Sequence, residues 1–230
     1  MRPAGALESE QMRLIRSAWL TALALGSTVI TAGSLEYFKA DLPEFVIEKL
    51  PLPWEAVWLG ALKIHVAAAA LALPGCLVLL SKTALQRSPR FHRWAGRATA
   101  AVVLLALVPS GSYLALFAKG GLPSSAGFLV SGAIAAATMV QAVREARARR
   151  FEAHRRYALH VLGQLSVAVT SRAMLFGFDA LAFDPERAYL IALWLPVVAS
   201  ALAVELVLWR KHALPSRPSR LPARFRSASV

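Results

Sequence analysis

Two short stretches hold most of the side chains in this sequence that could do chemistry: Phe91-His92-Arg93-Trp94-Ala95-Gly96-Arg97 and Phe151-Glu152-Ala153-His154-Arg155-Arg156-Tyr157. Each sets a His-Arg pair among aromatic residues, just before a long apolar run. A guanidinium is a rigid fork of donors that meets a phosphate or carboxylate with two parallel hydrogen bonds. An imidazole beside it can take up a proton near neutral pH or ligate a metal. His160 extends the second stretch, because Gln164 and Ser171 follow it on nearly the same helical face and make a polar stripe. The candidate ligand-binding set is therefore His92, Arg93, Arg97, His154, Arg155, Arg156 and His160, and the ligand it suits is an anionic headgroup. The same residue types have a plainer use, since Trp and Arg also mark the boundary where a chain enters a bilayer.

A second group lies inside the apolar runs, where an ionisable side chain is costly unless paired, hydrated or near an interface. His65 is followed by Ala68, Ala69 and Ala72, a small-residue face suited to close helix packing, so a satisfied core histidine is expected. Arg172 is flanked by Thr170 and Ser171 and should point into the bundle, pairing with Asp179 or Glu36 or else binding an anion or carbonyl group. Gln164 completes the intramembrane polar set. Lys63 is close enough to one edge for its stem to reach water, and Glu205 is placed to pair with the basic layer at the other.

Buried histidines in a helical membrane protein raise the possibility of haem, with two imidazoles at one depth on one iron. His65 and His160 differ in depth by roughly 18 Å on ideal helices, which leaves only a site among His92, His154 and His160 for haem, a quinone or a metal. His154 and His160 are six residues apart and face different ways. The lone Cys76 excludes an intramolecular disulfide and a cysteine metal cluster, and a buried free thiol is expected.

The elements that must position these residues follow from composition. Apolar residues make up 57% of the chain and charged ones 17%, with mean hydropathy +0.52, which is the make-up of a membrane protein. A spanning helix needs roughly 20 apolar residues, and six segments qualify, at about 19–38, 55–81, 96–118, 124–146, 157–181 and 189–211. The expected fold is an all-α polytopic bundle of about six transmembrane helices. It comprises a cytoplasmic segment 1–16, a membrane domain 17–212 and a disordered basic tail 213–230, whose Pro/Ser/Arg bias leaves it no apolar face to bury. A short helix is expected around Phe45–Leu50, and kinks at Pro74-Gly75, Pro109-Ser110-Gly111 and Pro196.

With the N-terminus assigned to the cytoplasm, twenty of the twenty-six Lys and Arg fall on that side and only Lys39, Lys49, Lys119 and Arg187 in the opposite loops. This positive-inside bias predicts both termini in the cytoplasm. It accounts for the net charge of +13 without nucleic acid, and it directs the partner expectation to the bilayer, its anionic headgroups and a membrane protein partner.

Taken in order, His65 through Pro74-Gly75, His92-Arg93 with Gly96-Arg97, Gly127-Phe128 opening the fourth helix, His154-Arg155-Arg156 and Arg172 resemble bacterial predicted membrane proteins of the domain-of-unknown-function family 2306. The resemblance covers about residues 60–175. Where that family carries a Gly-Pro-x-Gln-Phe run this chain has Leu73-Pro74-Gly75-Cys76-Leu77, and it has Tyr157 where the family carries methionine. The resemblance implies a bacterial inner-membrane location and a functional His/Arg layer, and it brings no reaction. Three classes of function stay open: binding of anionic lipid or a partner complex at the His/Arg vestibule, a redox or transfer enzyme using the histidines, and a small transporter using Lys63, His65 and Arg172. The transporter class lacks a clear inverted repeat. Reporter fusions at residues 45, 121 and 185 should all report the non-cytoplasmic side, and a cytoplasmic signal at any of them would overturn the threading.

Overall fold

A computed structural model of the chain describes residues 4–39, 41, 43–52 and 54–213. In chain order its elements are α1 (Ala4–Ser34), a 3-10 turn (Leu35–Phe38), α2 (Glu44–Ile47), α3 (Glu55–Leu79), α4 (Lys82–Arg87), α5 (Pro89–Ala101), a π turn (Val102–Leu107), α6 (Val108–Ala115), α7 (Gly121–Arg147), α8 (Phe151–Ala180) and α9 (Pro185–Ala213). α5, the π turn and α6 run on as one rod, Pro89–Ala115. With α1, α3, α7, α8 and α9 it makes six helices long and apolar enough to cross a membrane. Helix is the form such runs must take, because hydrocarbon offers no water to a backbone N–H or C=O.

The third span begins at Pro89 rather than about 96, and the fifth at Phe151 rather than about 157. Both His-Arg stretches therefore lie within the first turns of spanning helices instead of in the loops before them. An apolarity criterion stops at the charges, whereas the backbone does not. Ser88 caps α5 by accepting from the Phe91 N–H at 3.4 Å, and Pro89 occupies the first turn, where its missing N–H costs nothing. In the same way α1 already begins at Ala4, so most of the expected N-terminal segment continues the first span as helix. The short helix expected at Phe45–Leu50 is the single turn α2, and the expected tail lies, from residue 214 onward, outside the described residues.

α3, the rod, α7 and α8 form a four-helix core, with α9 packed on α7 and α8 and α1 laid against α3 and α8. The core joins Ala68, Ala72, Leu73 and Cys76 of α3 to Ala100, Val103 and Leu107 of the rod, Met139 of α7, and Val161 and Leu162 of α8. Cys76 is buried and free, as expected. Small residues set the spacing: a Cβ on Gly75 would lie 2.7 Å from Thr99 Oγ1, so α3 and α5 approach as closely as they do only because that Cβ is missing. At the end of the bundle away from the basic loops, Val46 of α2 is fully buried with Trp58 and Leu62, under Tyr37, Leu52, Tyr113 and Phe117. Lys49 ties this cap down by donating from Nζ to Phe117 O, and burial there, aided by the charge of Lys119, holds its ammonium pKa below the usual lysine value.

Gly75→Leu should destabilise the bundle by about 1–3 kcal/mol through overpacking. Gly132→Leu, where an added Cβ meets nothing within 4 Å, should be tolerated. Thermal unfolding of both variants in detergent reads the difference.

Candidate anion site at the basic face

Arg156, His160 and Gln164 recur every four residues along α8 and so share the face packed on α9. The Arg156 guanidinium grips Glu205 of α9 with both arms, Nε to Oε1 at 3.0 Å and Nη2 to Oε2 at 2.6 Å. His160 Nε2 lies 2.6 Å from Glu205 Oε1, an approach that requires the proton on that nitrogen. One turn deeper, Gln164 is buried and satisfied on three sides. It donates to Val197 O at 3.2 Å and Ser200 Oγ at 3.1 Å, and accepts from Ser131 Oγ at 2.9 Å. Gly163 makes room for this ladder, since a Cβ there would stand 3.3 Å from Ser200 Cβ. The polar stripe expected on α8 is real, and Glu205 has the ion-pair role expected of it.

His154 is turned the other way, with Nδ1 2.8 Å from Ala142 O, which ties the first turns of α8 to the last turns of α7. His92 on α5 lies within electrostatic range of His154, and its Nδ1 is buried without a hydrogen-bond partner. The two His-Arg stretches therefore lie at the same end of the bundle. Arg150 pairs with Glu145 across the α7–α8 turn, with Nη2 to Oε1 at 2.9 Å and a second contact from Nε to Oε2. Two carboxylates at this face are thus taken by Arg156 and Arg150, whereas Arg93, Arg97 and Arg155 are exposed and touch no carboxylate among the described residues. The described residues contain no group of three His, Cys, Asp or Glu able to share a metal, so His92, His154 and His160 do not meet at one point.

The intramembrane candidates lie elsewhere. His65 Nδ1 is 3.2 Å from Leu107 O and 3.3 Å from Ser110 Oγ, and the Ser110 hydroxyl donates to Ala106 O at 2.6 Å. The Ser110 hydroxyl thus bonds back to carbonyls of its own helix, and His65 of α3 meets the Leu107 carbonyl from the neighbouring helix. Gly111 leaves room for the ring, because a Cβ there would lie 2.8 Å from His65 Cε1. Arg172 does not pair with Asp179 or Glu36 as weighed from the sequence. Its Nη1 donates to Ala168 O at 2.9 Å, and Glu36 pairs with Lys39 at 3.7 Å. Arg172 is exposed rather than packed inward. Lys63 lies on an exposed face of α3.

Residues 62–208 match the family model described as Predicted membrane protein (DUF2306). The chain belongs to that family. No curated protein and no solved structure matches it. The DUF2306 region runs further than the sequence resemblance at about 60–175, taking in α9 as far as Glu205 and beyond, and it leaves out α1, the helix with the least buried span. Every candidate residue named above falls within it. Ser131 and Ser200 had not been singled out in the sequence, and Ser110 and Gly111 only as part of a kink, because small residues in apolar runs give no sign of which carbonyl or amide they will meet.

The Arg156–Glu205 pair is half exposed at both ends, so screening reduces its worth to about 1 kcal/mol. In a double-mutant cycle on thermal unfolding, Arg156→Ala and Glu205→Ala should fall short of additivity by about that amount, and strict additivity would show that the pair is not coupled.

Proposed function

We propose that this protein holds an anionic headgroup at its basic face, with Arg93, Arg97 and Arg155 as the binding guanidiniums and His92 and His154 between them. In this reading the basic face is the cytoplasmic face of a bacterial inner membrane, in line with the positive-inside distribution. One observation carries the proposal. The nearby carboxylates Glu205 and Glu145 are already engaged by Arg156 and Arg150, while Arg93, Arg97 and Arg155 stay exposed without an ion pair among the described residues, and Glu152 in the first turn of α8 could balance at most one of the three. Like charges gathered at one helix-bundle end repel, and an anionic lipid phosphate or a carboxylate on a membrane partner relieves the repulsion. Arg156 and His160 then act by fixing the start of α8 against α9, so that Arg155 faces outward. The alternatives receive less support. An enzyme using haem, a quinone or a metal at this face would need imidazoles that converge, and His154 and His160 instead turn to Ala142 O and Glu205.

Lysine keeps the charge and loses the planar fork, which separates binding from simple anchoring. Arg93→Lys and Arg155→Lys should each lower co-purified anionic phospholipid at least threefold and reduce thermal stability, while Arg87→Lys, at the end of α4, should match the wild type. Equal lipid content in all three variants would leave the two stretches as interfacial anchors.

A further inference from the structure

Arg172 lies eight residues before the end of α8, about 12 Å along the helix axis at 1.5 Å per residue. An arginine that snorkels reaches for the nearer interface. This one does the reverse, since its Nη1 donates to Ala168 O, one turn deeper, at 2.9 Å. The guanidinium is thereby held roughly 12–18 Å from the helix end. Phe176, between it and that end, and Leu181, just past the end, are strongly exposed apolar residues of the kind that face hydrocarbon. The headgroup layers lie outside a core about 30 Å thick, and in this pose the guanidinium is turned away from the nearer one.

No carboxylate among the described residues pairs with Arg172. Its titratable neighbours on the helices beside α8 are His65 of α3 and Tyr189 of α9, both within its electrostatic range. Neither is a counter-ion: His65 is engaged through Nδ1 with Leu107 O and Ser110, and Tyr189 has a phenol. A permanent cation in hydrocarbon with one backbone acceptor needs an anion that can reach it through the bilayer. A neutral carbonyl ligand would leave the charge uncompensated.

We propose that Arg172, flanked by His65 and Tyr189, is an intramembrane binding site for a lipophilic carboxylate, an amphiphile of the fatty-acid type whose carboxylate pairs with the guanidinium while its chain lies among the helices and lipid tails. The site is separate from the basic face. It stands on the depth, exposure and missing counter-ion of Arg172, and it holds whether or not Arg93 and Arg155 bind headgroups. The ligand reaches it laterally, from the bilayer.

The test uses the full-length protein in nanodiscs of phosphatidylcholine alone, labelled with palmitate carrying a photoreactive diazirine on its chain. Unlabelled palmitate should compete at least tenfold better than methyl palmitate, which has the same chain and no charge, and the labelled peptides should come from α3, α8 or α9. Arg172→Gln should abolish that preference, and Arg172→Lys should keep part of it. If Arg172→Gln fails to fold, the acid-over-ester preference and the labelled positions in the wild type decide the matter alone. Equal competition by palmitate and its methyl ester would overturn the proposal, as would labelling confined to other helices or a folded Arg172→Gln that keeps the preference. Benzoylphenylalanine in place of Ala173 that captures a second polypeptide through an acidic helix would overturn it too, since the counter-ion would then be protein.

Discussion

A backbone carbonyl in hydrocarbon must find a donor, and the rod Pro89–Ala115 is where this chain meets that requirement by means other than a regular helix. Pro109 removes one donor and the π turn before it shifts the hydrogen-bond register, so that Val108 donates to Val103 O, five residues back. The carbonyls of Ala106 and Leu107 are then covered by the Ser110 hydroxyl and by His65 from the neighbouring helix. This defect in one helix fixes a side chain of another: α3 and the rod are registered against each other where the imidazole meets the bare Gly111. Both helices belong to the central four-helix core, so their register carries through to α7 and α8.

Charge is handled by a different rule at the basic face. Water is near enough there for guanidiniums to remain exposed, and the acidic residues act as clasps between helices. Glu205 joins α9 to two successive turns of α8, and Glu145 with Arg150 closes the turn between α7 and α8. Arg172, well inside α8, has no such clasp among the described residues, and its guanidinium turns to a backbone carbonyl of its own helix instead.

The six spanning helices were legible in the sequence because hydropathy over roughly 20 residues reports the same physics that drives insertion. Part of the polar face of α8 was legible too, since His160 and Gln164 were read onto one stripe with Ser171, while Arg156, one turn earlier on that face, was read with the vestibule instead. The partners across helices were not. Nothing in an apolar run says that Ser131 and Ser200 will close on Gln164, or that Gly111 will accept an imidazole, because those facts depend on which helix faces which. Arg172 was misjudged for a related reason. Asp179 follows it on nearly the same face, yet the side chain turns to its own helix, where an acceptor was already one turn away. The helix starts were placed late because charge ends an apolar run sooner than it ends a helix, as Ser88 and Pro89 show.

The cap built on α2 has a mechanical consequence. Val46 is seated among Trp58, Leu62 and the aromatic residues at the ends of α3 and the rod, so it wedges those two helices at one pole. Any sliding of α3 along the rod would first have to unseat that wedge, which makes this pole the stiff end of the pair.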